Sequence, residues 1–176
     1  VEHFCEQECE VYFVDINIKE SKKLISNLKN KKIKTPHFIE CNLLKIKKLE
    51  NIIKKIIKSK GPIDILINNA ANDDRHSTKQ VDEKYWNNRM DVNLKHFFFT
   101  IKAVLRGMIQ KKGGAIVNLS SVSWMLGEGD KVAYETAKSA VIGLTRSFAR
   151  EFGKYNIRCN SVTPGSIATE RQIKHW

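Results

Sequence analysis

Apolar positions in this chain alternate between two spacings. Short runs of near-continuous apolar character, Val11 to Val14, His37 to Cys41, Ile63 to Ile67, Ala115 to Leu119 and Ile157 to Val162, are bounded by Gly, Pro, Asn or Asp. They read as buried strands of a parallel sheet. Between them, apolar residues recur at three and four positions, which predicts helices over 19–30, 43–59, 82–110 and from the early 130s to about Phe152. The second of these would bury Ile46, Leu49, Ile52, Ile53, Ile56 and Ile57, and Gly153 marks the end of the last. The stretch 82–110 reads as one long helix carrying Trp86, Met90, Phe97, Phe98, Ile101, Val104 and Leu105. Val1 to Glu10 reads as the end of a helix.

Strands alternating with helices imply an α/β fold of the Rossmann-like, doubly wound kind, a parallel sheet with helices on both faces. The whole of 1–176 is expected to be one partial dinucleotide-binding and catalytic domain. The first strand with its glycine-rich phosphate turn is expected to be missing, which makes the chain a truncated version of the fold. In the strand order 3-2-1-4-5-6 the missing first strand is central, so two open sheet edges are expected.

Composition narrows the class. Hydrophobic residues make up 41% of the 176, which suits a globular domain with a real core. No apolar run approaches the roughly 20 residues that a membrane helix needs, and the N-terminus lacks a basic region followed by an apolar segment, so a cytoplasmic location is expected. Cys5, Cys9, Cys41 and Cys159 form no paired C-x-x-C knuckles, and no metal site is expected. Cys41 and Cys159 fall in apolar strand contexts and read as reduced core residues, while Cys5 and Cys9 would share a helix face. The formal charge of +12 raises the question of nucleic acid, but the lysines lie along solvent faces of amphipathic helices without interleaved aromatics. A solvated basic surface is the better reading.

The candidate chemistry lies between Ser120 and Lys138. Ser121 follows an apolar strand, at the edge where α/β sheets carry their sites, and could hydrogen-bond the oxygen of an alcohol or carbonyl. Tyr134 and Lys138 are four apart on a helix and so share one face. An unperturbed phenol, with a pKa of about 10, is a poor base at neutral pH, and a neighbouring ammonium is expected to lower it.

In order along the chain, Asn68-Asn69-Ala70-Ala71, Asn93 within Asp-Val-Asn-Leu, Ser121, Tyr134, Lys138, and Pro164-Gly165 followed by Thr169 resemble the short-chain dehydrogenase/reductases over nearly the whole length. Asn69 to His76, Ser123-Trp124, Tyr134 to Lys138 and Thr169 to Gln172 further resemble the NAD-dependent sugar 1-dehydrogenases, particularly those that oxidise D-xylose. The resemblance implies that Tyr134 exchanges the substrate proton, Ser121 orients the substrate, Lys138 tunes the phenol and holds the nicotinamide ribose, and Asn93 supports a water relay.

It also implies cofactor contacts at Asp15, Asn42, Leu43, Asn69, Ala70, Ala71, Tyr134, Lys138, Pro164, Gly165, Ile167 and Thr169. Asp15, ending the second strand of such a fold with no Arg beside it, favours NAD over NADP, though a helix-capping aspartate fits the same position. Asn42 stands where the family commonly has Asp, and Ala71 where it has Gly, so backbone approach at Ala71 is less close. The loop 72–76 is either solvated or part of the active-site mouth. Ser121, Trp124, Tyr134 and Gln172, with Trp176, are the candidate substrate contacts.

The implied activity is NAD-linked oxidation of an aldose at C1 to the lactone by a homotetramer, with helix 82–110 supplying a helix-to-helix subunit contact. The resemblance also implies that the family's last strand and most of its substrate lid are missing, so the chain as written is expected to bind NAD weakly and to turn over little or nothing. Two alternatives stand beside that activity: another alcohol or carbonyl substrate, such as a 3-oxoacyl group, and a degenerate, non-catalytic family member.

Overall fold

The computed structural model describes residues 1–169 and Ile173. The chain divides into two units, Val1–Leu49 and Glu50–Trp176.

In the first, α1 (Glu2–Glu6) precedes β1 (Tyr12–Asp15), α2 (Ile18–Asn30) and β2 (His37–Glu40). The two strands pair in parallel, with Tyr12 opposite His37 and Asp15 opposite Glu40. Asn17 caps α2 by accepting the Glu20 N–H at 3.1 Å. Cys5, Leu28, Cys41 and Leu49 are buried in this unit. Cys9 lies beyond the end of α1, so the expected shared face with Cys5 does not form: the helix stops at Glu6, and Cys9 N–H bonds back to Phe4 O. No cluster of metal-ligating side chains occurs among the described residues.

Helix α3 (Ile46–Lys60) begins in the first unit and continues into the second. Its Leu49, Ile52 and Ile53 are buried, while Ile46, Ile56 and Ile57 are half-buried.

The second unit is built on a parallel sheet in the order β3 (Ile65–Asn68), β4 (Gly114–Leu119), β5 (Ile157–Val162). Asn68 stands opposite Asn118, and Asn118 opposite Ser161. Among the described strands β1 pairs with β2 alone and β3 with β4 alone, so the parallel strands form two sheets. Strand β3 also departs from its expected burial, for Ile65 and Ile67 are 45% and 41% exposed. Period-two alternation puts both on one face of a short strand, and it is the other face, with Asn68, that receives the helix at Thr100.

The helix expected over 82–110 is interrupted. Helix α4 (Glu83–Met90) and α5 (His96–Gln110) are joined by a π turn, Asp91–Lys95, that places Asn93 fully inside the protein. Such single π turns are one-residue insertions in a helix and recur at functional sites. Phe97, Ile101, Val104 and Met108 of α5 are buried, as are Ala133, Ala137 and Val141 of α7 (Val132–Phe152). Gly107 lets α5 pass Pro62, where an added Cβ would come within 2.9 Å of the proline Cβ. A short helix, α6 (Ser123–Leu126), fills the loop after β4 and ends on Gly127 at φ 64°.

A chain of buried side chains crosses the sheet. Thr100 donates to Asn68 Oδ1 at 2.7 Å, Asn68 Nδ2 to Asn118 Oδ1 at 2.9 Å, and Asn118 Nδ2 to Thr145 Oγ1 at 3.0 Å. It links α5, β3, β4 and α7 through groups that would each be costly to leave unpaired.

Candidate active site

Strand β4 ends at Leu119 and delivers Ser120 and Ser121 to the C-terminal edge of the sheet. Two reciprocal bonds lock this strand end to α7. Lys138 Nζ donates to Leu119 O at 2.7 Å, and Ser120 Oγ donates to Lys138 O at 2.7 Å. Lys138 is 1% exposed, an ammonium held in the interior against the Leu119 carbonyl. Desolvation lowers its pKa to about 8, partly offset by the charge of Asp73.

The Lys138 ammonium lies 5.6 Å from the centre of the Tyr134 ring and 5.4 Å from that of Phe97, so the expected shared face of α7 is present. The expected lowering of the phenol pKa is not. Burial raises the Tyr134 pKa, with the Ser121 hydrogen bond acting in the lowering direction and the charges of Asp73 and Glu128 adding to the rise. Spacing alone reports the neighbouring cation; it does not report how deeply the phenol is buried.

Ser121 Oγ pairs with Ser123 Oγ at 2.9 Å and accepts the Ser123 N–H at 3.2 Å. The loop after β5 meets it here, since Val122 N–H donates to Pro164 O at 3.0 Å and Ser120 N–H to Val162 O at 2.8 Å. Gly165, Ile167 and Thr169 continue this loop, with Thr169 N–H donating to Ile167 O at 2.7 Å. Asn69, Ala70 and Ala71 are exposed directly after β3. Trp124 lies in the first turn of α6 with its indole Nε1 buried and without a partner among the described residues. In the first unit, Asp15 ends β1 with Oδ1 accepting the Asn17 N–H at 2.8 Å, and Asn42 accepts the Leu44 N–H at 2.9 Å, beside Leu43. Gln172 and Trp176 lie outside the described residues.

Asn93 is engaged on both sides of its amide. Its Oδ1 accepts Asn72 N–H at 2.8 Å, and its Nδ2 donates to Asn72 O at 3.0 Å. A primary amide has four hydrogen-bonding positions, so one acceptor and one donor position remain. The loop 72–76 is thus held from beneath by Asn93, and it is tied at other points too. Arg89 Nη1 reaches Asn72 Oδ1 at 2.7 Å, and Arg75 pairs with Asp130.

The model of the family described as short chain dehydrogenase matches residues 1–176. A D-xylose 1-dehydrogenase of Caulobacter vibrioides is 42% identical over 173 residues, which are 98% of this chain and 68% of that protein. The chain belongs to the short chain dehydrogenase family. A probable galactose dehydrogenase of Rhizobium meliloti is 39% identical over 176 residues, 69% of its length. A 3-oxoacyl-[acyl-carrier-protein] reductase of Vibrio cholerae is 37% identical over 129 residues, 73% of this chain and 53% of that one. Among solved structures, a Burkholderia xenovorans protein assigned to the short-chain dehydrogenase/reductases matches with a TM-score of 0.91 and 27% identity, covering 99% of this chain and 69% of the other.

As a short chain dehydrogenase, the chain is similar to oxidoreductases acting on CH–OH groups, and its relatives include sugar dehydrogenases. Three residues around the site were not singled out from sequence. Arg89 and Tyr85 sit on α4 with no motif to mark them, and His96 is hidden within an apolar stretch. His96 is 2% exposed, and burial followed by the Lys138 charge lowers its pKa to about 4, partly offset by a backbone hydrogen bond with Asp91.

Proposed function

We propose that this short chain dehydrogenase is NAD-dependent and oxidises an aldose of the D-xylose type at C1 to the lactone. The observation that carries the chemistry is the buried Lys138 ammonium 5.6 Å from the Tyr134 ring, with Ser121 acting on the same phenol in the direction that lowers its pKa. Similarity to xylose and galactose dehydrogenases supports the sugar.

Ser121 orients the C1 hydroxyl, and Tyr134 takes its proton. Lys138 favours the phenolate against the opposing pull of burial, and as it is a cation below about pH 8 it is charged at neutrality. The oxygen and nitrogen positions left open on Asn93 suit a water that carries the proton onward. Trp124 offers a ring face to the sugar, and Gln172 an amide for its hydroxyls. When bound, the nicotinamide supplies the hydride acceptor.

The residues present fit that cofactor. The exposed Asp15 carboxylate uses one oxygen on Asn17 and keeps acceptor capacity for a ribose diol, without an arginine neighbour in sequence to favour a 2′-phosphate. Asn42, Leu43, Asn69, Ala70, Ala71, Pro164, Gly165, Ile167 and Thr169 are the further contacts, and Lys138 holds the nicotinamide ribose. This reading takes residues 1–176 as one partial domain, working in the cytoplasm within a homotetramer. Exposed Phe98, beside Leu94, Phe99, Ala140 and Leu144, offers the apolar face for a helix-to-helix contact. No helix among the described residues is long and apolar enough to cross a membrane.

The test, made on the full-length protein, is reduction of NAD and of NADP by D-xylose, D-galactose and D-glucose, run beside oxidation of the reduced cofactors by a 3-oxoacyl thioester. Turnover of xylose with NAD above the other pairs is expected. Turnover of the thioester alone would replace the sugar reading with the acyl one, and binding of either cofactor without any turnover would favour a non-catalytic family member.

A further inference from the structure

Helix α7, which carries Tyr134 and Lys138, begins without a cap of its own. The residue at its N-cap is Lys131, which makes no side-chain cap bond and has no acceptor to offer. The Ala133 N–H, in the first turn, is one of the donors a helix leaves unpaired, and Ala133 is 0% exposed, so bulk water does not reach the residue. Its partner comes from 57 positions away in sequence: His76 Nε2 accepts from Ala133 N–H at 3.4 Å.

His76 is itself held on every side. Its backbone N–H donates to Asp130 O at 2.7 Å. Its Nδ1 lies 3.1 Å from Asp74 O and 2.9 Å from the Tyr85 hydroxyl, and its ring packs on that of Tyr85 with centroids 4.9 Å apart. A carbonyl oxygen can only accept, so the network assigns the proton to Nδ1 and leaves Nε2 with the lone pair that Ala133 requires. The neighbouring ion pairs, Arg75 with Asp130 and Lys131 with Glu128, tie the same loops at the surface but give α7 no acceptor.

We propose that His76 is a positioning residue for Tyr134: from loop 72–76 it supplies the acceptor that caps α7 and so fixes where the next residue presents its phenol. This rests on the reading of Tyr134 as the proton-transferring group. It also assigns a purpose to the loop, which couples the mouth of the site to the first turn of the catalytic helix.

Two substitutions separate the two nitrogens of the imidazole. A glutamine amide reaches the position of Nε2, and an asparagine amide that of Nδ1. His76→Gln keeps an acceptor for Ala133 and is expected to hold kcat within about threefold of the parent. His76→Asn keeps the link to Asp74 but loses the cap, and is expected to lower kcat by about tenfold or more, with the KM for NAD little changed. Equal losses in both variants, or a larger loss in His76→Gln, would mean that His76 only tethers the loop.

A readout independent of turnover is hydrogen exchange at the Ala133 amide, expected to speed up about tenfold in His76→Asn and not in His76→Gln. Unchanged exchange in His76→Asn would overturn the cap even if the chain proves to be a sugar dehydrogenase. Conversely, a wild-type full-length protein without turnover but with this exchange pattern would fail the functional reading and leave the cap standing. Should His76→Asn not fold, nitrogen NMR of the wild-type histidines decides the matter, because an Nε2–H tautomer at His76 is incompatible with the cap.

Discussion

A neutral imidazole, His96, is close enough to Lys138 for that charge to add to the effect of burial on its pKa, which stands at about 4 against an ordinary 6.5. The unfolded chain therefore binds a proton that the folded chain refuses, so stability is lost as pH falls from about 6.5 toward 4. A shift of that size corresponds to roughly 3 kcal/mol once the pH is below both values. His96→Leu should remove this part of the acid sensitivity, and urea midpoints for parent and variant at pH 7 and pH 4.5 check it: the gap between them should narrow or reverse at the lower pH. Tyr134 carries a second prediction. Tyr134→Phe removes the only group proposed to take the proton, and should lower kcat by about a thousandfold while NAD binding, followed by fluorescence, stays within about twofold. Sequence spacing made the Tyr134 and Lys138 pair legible because residues four apart on a helix must share a face. It could not show the direction in which the phenol shifts, which depends on surrounding atoms brought in from other elements.

Elements were legible where one local pattern governs them. Strand β5 spans the expected Ile157–Val162, and α7 ends at the expected glycine, because continuous apolar runs and helix stops are local signals. The π turn in the long helix and the exposure of Ile65 and Ile67 were hidden, since both depend on what packs against the segment. So was the pairing of Asn68 with Asn118, fifty positions apart, although each residue sits in a strand whose register brings the two together. Asn118→Ala should strand the Asn68 amide and leave Thr145 without its donor, for a loss of about 3 kcal/mol measured by urea unfolding. Asn118→Asp, which keeps an acceptor for Asn68 but not the donor for Thr145, should also bury a charge and cost at least as much.

Over the whole molecule, the fold class was legible from the alternation of strands and helices, and the family from a handful of residues in fixed order. The strands fall into two sheets, and an edge of β3 is unpaired among the described strands, with Ile65 and Ile67 exposed on the strand. An apolar strand with a free edge is a template for pairing with other chains. Ile67→Lys should therefore reduce self-association, seen by light scattering as a lower mean mass at equal concentration. The protective effect of the +12 net charge should weaken as salt screens it, so the difference between parent and variant should widen at high ionic strength. The π turn at Asn93 has a different sort of consequence. One additional residue in a helix advances everything after it by about 100° around the axis, so α4 and α5 are two surfaces set in different phases of a single rod. Removing one residue from that turn would act on the fold as a frameshift acts on a message: each side chain of α5 would keep its chemistry and lose its address, beginning with Phe97 and Thr100.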